Sequence, residues 1–357
     1  MKAYVVQCFC EPLQAVDRED PVPTGTEVVI EVQRSGVCHT DLHLQDGYYE
    51  LGGGKRANLA DRGIRLPLVM GHEVLGRLVA KGPEVPIGDD AIGRSFLVYP
   101  WLGCGRCDVC LRGDENLCAK PASLGVFRPG GYAERCLVPH PRYLVEVEGI
   151  EPALAATYAC SGLTAFSALR KLQMDRSQGL LLIIGLGGVG MNALLIARAL
   201  GHARIAVADV DAGKREAALA QGAELAIDLR EADAAARLAE AGGVTAAIDF
   251  VGQGATTSFA VGALNKGGTC VVVGLFGGDI TLPLPPLVQR AICLRGSYVG
   301  NLQELKELVA LARSGRIAPM PVETVPFDRV DDALQRLRRG GVRGRLVLSA
   351  EMAGGKG

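Results

Sequence analysis

Four cysteines, Cys104, Cys107, Cys110 and Cys118, follow the pattern C-x2-C-x2-C-x7-C within one short stretch of chain. A loop with that spacing can wrap a single tetrahedral zinc in four thiolates. A closed four-sulfur site leaves no position open for a substrate, so this zinc holds structure and the chemistry belongs elsewhere. Three other candidate ligands stand outside the loop: Cys38 in GVCHTDLH, His72 in MGHEVLG and Cys160 in YACSGLT. Two thiolates, one imidazole and a water make an open zinc site, which can lower the pKa of an alcohol hydroxyl. Their separations of 34 and 88 residues form no motif. Taken singly, each also reads as a buried small thiol or a core histidine.

A second constellation is local and self-supporting. Gly185, Gly187, Gly188, Val189 and Gly190 make a G-x-G-x-x-G directly after the apolar run LLLII and directly before a helical pattern. In that setting Gly185 permits the tight turn, Gly187 lets the backbone approach a pyrophosphate, and Gly190 lets helix and strand pack closely. Nineteen residues beyond Gly190, at the end of the next apolar run, stands Asp209. A carboxylate there accepts from both ribose hydroxyls of an adenosine and repels an added phosphate, which predicts NAD rather than NADP. Lys214 could sit beside the same ribose. Asp211 competes with Asp209 for this role and is expected to be exposed.

These sites need elements to position them. Residues 1–150 read as short strands broken by turns, such as residues 27–32 and 77–80. From Gly179 the texture changes to apolar strands alternating with alanine-rich helices (LLLIIG, MNALLIARALG, RIAVADV, KREAALAQGA, ELAID), and about six strands can be counted before Gly300. A helix in LQELKELVALARSG and a last strand in GRLVLSA follow. A chain of 357 residues fits two domains. Lys and Arg total 38 against 39 Asp and Glu, so no field is offered to nucleic acid or to an anionic membrane. No secretory leader and no bilayer-length apolar run is visible, which predicts a cytoplasmic protein. Eleven cysteines fit a reducing compartment, as zinc ligands plus buried thiols.

GVCHTDLH, MGHE, the four-cysteine loop, YACSGLTAFSAL, GLGGVG and GRLVLS occur in the order found in the zinc-dependent alcohol dehydrogenases of the medium-chain dehydrogenase/reductase family, which the chain resembles over nearly its whole length. VGLFGGD and GSYVGNLQEL look closest to the bacterial and archaeal tetrameric NAD-dependent type. The resemblance implies an α/β architecture: a GroES-like β-rich catalytic domain from residues 1–156 and 297–357, enclosing an inserted doubly wound Rossmann domain from 157–296. It implies two zincs per chain, a catalytic one on Cys38, His72 and Cys160 and a structural one on the cysteine loop. It further implies that Thr40 accepts the alcohol proton, that His43 receives it through the cofactor ribose, and that Asp41 holds the second ring nitrogen of His72. Glu73 resembles the family's glutamate near the metal, and Arg345 an arginine on the cofactor pyrophosphate; a surface salt bridge is the alternative for Arg345. Tyr49, Trp101 and Leu275 fall where the family lines its alcohol pocket, which suggests an apolar or aromatic alcohol. The 47–70 segment is longer than in short yeast-like forms and lies where a substrate-entry loop would be.

The expected activity is therefore reversible hydride transfer from a primary or secondary alcohol to NAD. Polyol or sugar dehydrogenases of the same superfamily commonly replace the third cysteine ligand, so Cys160 argues against that alternative. A non-catalytic dinucleotide-binding zinc protein would have no use for Cys38, His72, Cys160, Thr40 and His43 together. The apolar segment AICLRGSYVG, at the last edge of the parallel sheet, needs a partner strand, which predicts dimers; tetramers follow from the resemblance.

Overall fold

Runs such as LLLII can be buried on both faces only if helices cover both sides of a parallel sheet. In the computed structural model, which describes residues 1–350, that is how they lie. Strands β1 (Leu180–Ile184), β2 (Arg204–Ala208), β3 (Leu225–Ile227), β4 (Val244–Asp249), β5 (Leu264–Val272) and β6 (Cys293–Gly296) pair in parallel in the order β3-β2-β1-β4-β5-β6. All five residues of β1 are buried. The order reverses at β1, and a crevice opens there at the carboxyl ends of the strands. The fold is a GroES-like β-rich part with an inserted six-stranded Rossmann-like sheet.

The β-rich part is built on a seven-stranded sheet. Its central strand, Val28–Gly36, pairs antiparallel with Val74–Lys81, Arg135–Val138 and Arg345–Ser349. Two of these strands extend beyond the segments readable from alternation alone. The strand Arg345–Ser349 comes from the far end of the described chain and also pairs in parallel with Val322–Pro326, so the sheet joins strands from widely separated parts of the described chain.

Three helices carry or border the candidate site residues. Helix α1 (His39–Asp46) starts at Cys38 and stops at Gly47, whose φ of 82° is left-handed. Helix α2 (Gly188–Ala199) runs on from the glycine turn, and α3 (Leu302–Arg313) follows β6. Between the helical segments Pro152–Thr157 and Leu163–Arg170 the backbone widens into a π turn, Tyr158–Gly162. Such bulges concentrate at functional sites, and this one carries Cys160. Residues 47–70 fold as a hairpin, Tyr48–Gly52 against Lys55–Asn58, with a short 3-10 turn beyond it.

Candidate active site and metal centres

The sulfurs of Cys104, Cys107, Cys110 and Cys118 all lie within 4.8 Å of one another. The Sγ separations are 3.5 Å for Cys107–Cys110, 3.8 Å for Cys107–Cys118 and 4.0 Å for Cys104–Cys110. Four sulfurs at about 2.3 Å around one tetrahedral ion stand about 3.8 Å apart, so the loop is shaped for zinc. Backbone N–H groups of Arg106 and Cys107 draw the Cys104 thiol down to about 6, whereas burial pushes Cys110 up to about 12. A divalent cation removes that inequality by favouring the thiolate at every position. Glu115 braces the loop from within, accepting from the Tyr143 hydroxyl at 2.7 Å and pairing with Arg142 at 2.7 Å.

Cys38, His72, Glu73 and Cys160 form a second cluster, again with ligand atoms within 4.8 Å. Cys38 is the N-cap of α1, and its backbone N–H donates to Asp41 Oδ2 at 2.9 Å. Cys160 hangs from the π turn with its sulfur 4.0 Å from that of Cys38. That contact holds the Cys38 thiol well below its ordinary value. In the fully buried His72, Nε2 has no hydrogen-bond partner and Nδ1 has only the Asp41 carboxylate at 3.4 Å, and one oxygen of the fully buried Glu73 also lacks a partner. Orphaned polar atoms at this depth are costly unless something fills the space between them. Zinc fits this donor set as it fits the loop.

The surroundings orient the donors. Asp41 Oδ1 stands 3.4 Å from His72 Nδ1, while Asp41 Oδ2 accepts the Tyr132 hydroxyl at 2.8 Å. Burial works against a charged His72, but the Asp41 carboxylate outweighs it and raises the imidazole above its ordinary value. Glu73 accepts from Arg345 at 2.5 Å and from the Ser161 N–H at 3.3 Å, and burial pushes its carboxyl up to about 7. A Cβ at Gly36 would lie 1.8 Å from Glu73, so only glycine leaves room there.

Arg345 connects the two sites. It is buried rather than in a surface salt bridge, and a Cβ on Gly188 would fall 2.2 Å from its Cδ. In the glycine turn Gly185 has φ 87°, and a Cβ on Gly190 would meet the Gly185 carbonyl at 1.7 Å, whereas one on Gly187 would meet nothing within 4 Å. The open space at Gly187, at the N-terminus of a twelve-residue helix, is a cradle of the kind a pyrophosphate fills. Asp209 Oδ2 accepts from the Leu186 N–H at 2.6 Å and Oδ1 from that of Asp211 at 2.9 Å. Asp211, expected to be exposed, is half-buried because its side chain caps the helix Ala212–Ala220 by accepting from the Lys214 N–H.

Thr40 and His43 lie one turn apart on α1 and share no hydrogen bond. The His43 ring is 4.7 Å from that of Tyr49, and burial lowers its imidazole below the ordinary value. Tyr49 and Leu275 line a cavity of about 490 Å³ between the 48–58 hairpin and the carboxyl edge of the parallel sheet, together with Leu59, Phe127, Leu294 and Tyr298. Trp101 is not in that lining. It is buried behind it, its ring 5.2 Å from that of His72, and its Nε1 donates to the Ala159 carbonyl at 3.0 Å.

Two residues of this region carry no individual signal in the sequence reading. His39 packs its ring 5.4 Å from Phe276 and feels the charges of Arg345 and Lys214. Its position inside CHTD was the available clue. Tyr298 meets Trp101 edge-on; the segment GSYVGNLQEL that holds it resembles the family, but nothing along the chain assigns this residue to the cavity.

Residues 24–149 match the alcohol dehydrogenase GroES-like domain and residues 188–314 the zinc-binding dehydrogenase domain. The chain belongs to the zinc-binding medium-chain alcohol dehydrogenase family. It is 35% identical over 345 residues to an NAD-dependent alcohol dehydrogenase of Saccharolobus solfataricus, covering 95% of this chain and 96% of that one. It is 31% identical to a D-arabinose 1-dehydrogenase (NADP(+)) of the same organism, with 98% and 97% covered. Among solved structures, the alcohol dehydrogenase of Aeropyrum pernix superposes with a TM-score of 0.86 at 29% identity, over 98% of this chain and 100% of that one.

Proposed function

We propose that the protein is an NAD-dependent alcohol dehydrogenase that interconverts a primary or secondary alcohol, apolar or aromatic, with its aldehyde or ketone. The observation that carries this reading is Arg345, which bonds Glu73 in the Cys38–His72–Cys160 cluster and touches Gly188 in the glycine turn. A redox cofactor and a metal centre joined by one buried side chain are suited to a reaction that uses both.

Zinc held by Cys38, His72 and Cys160 would supply polarisation of an alcohol or carbonyl oxygen. The chain's own groups supply the rest. Asp41 fixes the ring of His72, and Arg345 balances the charge of Glu73 against the thiolates. Thr40 would take the alcohol proton, and His43, kept neutral by burial, would accept a proton and pass it to solvent. Asp209 and Lys214 hold the adenosine ribose, while Gly187, Gly188, Val189 and Arg345 receive the pyrophosphate. The catalytic domain comprises residues 1–156 and 297–357, and the cofactor domain residues 157–296. Leu59, Phe127, Leu275 and Leu294 give the cavity a largely apolar wall.

Two copies pair through β6. All four of its residues are exposed, and Leu284 and Val288 beside it are 68% and 74% exposed. An apolar sheet edge of this kind is an aggregation hazard unless a second strand covers it. Light scattering should give a dimer or a tetramer; a monomer at assay concentration would overturn the pairing. No helix among the described residues is long and apolar enough to cross a membrane, and the protein is proposed to act in the cytoplasm.

The test of the activity is NADH formation with a panel of primary, secondary and aromatic alcohols, in parallel with NADP and after dialysis against a zinc chelator. Metal-dependent turnover with NAD is expected. Silence across the panel with two zincs bound per chain would overturn the reading.

A further inference from the structure

Tyr298 belongs to a short connector, residues 297–301, that joins β6 to α3. Three hydrogen bonds tie this connector to the β-rich part, while at its start the Ser297 N–H donates back to the Val272 carbonyl of β5 at 2.9 Å. Asn116 Nδ2 donates to the Tyr298 carbonyl at 3.0 Å, the Tyr99 hydroxyl donates to the Gly300 carbonyl at 2.9 Å, and Asn301 Nδ2 donates to Asp114 Oδ1 at 3.2 Å. Asp114 and Asn116 sit inside the cysteine loop, between Cys110 and Cys118.

The connector is also strained. Val299, between the two anchored carbonyls, has φ 40°, a left-handed conformation that a β-branched residue adopts only where its surroundings compel it. Its side chain is buried and cannot relax outward. Tyr298 next to it lines the cavity, and its ring meets Trp101 at 5.9 Å and 71°. Trp101 in turn packs on His72 and bonds the carbonyl beside Cys160. A continuous path of contacts therefore runs from the cysteine loop, through the strained connector, to the wall of the substrate cavity.

We propose that the cysteine loop sets the size selectivity of the enzyme for its alcohol, with Asn116 as the positioning residue that holds Tyr298 in the cavity wall. This deepens the dehydrogenase reading and rests on it. The loop thus has a task besides holding the fold. Through the Asn116 and Asp114 clamps it keeps Val299 in a conformation that would otherwise revert, swinging Tyr298 away from Trp101.

The experiment uses the full-length, zinc-loaded enzyme with Asn116→Ala, and Tyr298→Ala as the reference for a removed wall. Trp101 is the only tryptophan of the chain, so its emission reports on Tyr298 directly and without turnover. Asn116→Ala should move the emission to longer wavelength, in the same direction as Tyr298→Ala, with zinc content unchanged. The KM for benzyl alcohol should rise about fivefold, the scale of one edge-to-face aromatic contact, while kcat and KM for ethanol stay near wild type. Asn116→Gln, which keeps the donor, should recover part of both signals. Asp114→Ala, which releases the other clamp, should act in the same direction.

Wild-type emission and wild-type KM ratios in both Asn116→Ala and Asp114→Ala would overturn the proposal. So would loss of the loop's zinc in Asn116→Ala, because the residue would then be acting through the stability of the loop. If the unmodified enzyme oxidised no alcohol, the dehydrogenase reading would fall on that result alone, while the emission would still decide whether Asn116 positions Tyr298.

Discussion

Replacing Asp209 with asparagine removes one charge from the adenosine end of the groove and keeps the shape. In the wild type the carboxylate already receives two backbone N–H groups, from Leu186 and Asp211. A carboxylate has about four lone-pair sites, so capacity remains for two ribose hydroxyls. A phosphate on that ribose would bring a negative charge to about 5 Å, where an effective dielectric of about 20 gives about 3 kcal/mol of repulsion. That corresponds to about a hundredfold preference for NAD. The groove is otherwise hospitable to a phosphate. The Arg343 guanidinium lies 2.6 Å from where a Cβ on Gly213 would be, and Lys214 follows it in the same helix. Asp209→Asn should therefore weaken NADH by about tenfold, from loss of charge-assisted bonds, and tighten NADPH, so that the preference largely disappears. The assay is fluorescence titration of NADH and NADPH at fixed ionic strength, with kcat/KM for NAD and NADP alongside. An unchanged NADH-to-NADPH ratio would refute the electrostatic argument and assign the discrimination to another residue.

Cys104→Ser should lower the melting temperature far more than it lowers the kcat for ethanol of the protein that remains folded, since its ligand set is structural; equal losses would place the loop in the chemistry. His43→Ala should slow turnover by about a hundredfold near and below neutrality, with the gap narrowing at alkaline pH as hydroxide replaces the missing base. The sign follows from burial, which depresses the imidazole, so His43 stays neutral and able to accept a proton down to below the usual histidine range. A loss of the same size at every pH would count against a relay.

The glycine turn and the cysteine loop are legible in the sequence because each is a short segment whose neighbours declare its context. LLLII before Gly185 and a helical pattern after Gly190 settle the first, and four cysteines within fifteen residues settle the second. The Cys38–His72–Cys160 cluster is another matter. Its members come from a helix cap, an irregular link before the strand Val74–Lys81 and a π bulge brought together by tertiary packing, and only the resemblance to a family links them beforehand. Arg345 shows the same limit: an arginine near a chain end reads as surface until the strand that carries it is placed between Val28–Gly36 and Val322–Pro326. The Asp211 cap and the position of Trp101 behind the cavity wall escape the sequence because both depend on where a side chain turns, to which spacing along the chain is blind. Tyr298 escapes it for a related reason, since its neighbours Asn116 and Trp101 are far from it in sequence.

The strand that carries Arg345 also sets an order of events during synthesis. The parallel sheet, residues 180–296, is complete in sequence while the last strand is still inside the ribosome, and domains of this kind fold as they emerge. The β-rich sheet cannot finish at that stage, because Val347 must pair with Gly36 and Leu348 with Ser35 across more than three hundred residues. Until then Glu73 lacks its ion-pair partner, and the metal cluster beside it lacks its final electrostatic support. The nascent enzyme therefore passes through a stage with an assembled cofactor crevice and an unfinished metal centre. A ribosome that stops short of Arg345 would release a chain able to fold its inner sheet yet unable to complete its reactive site.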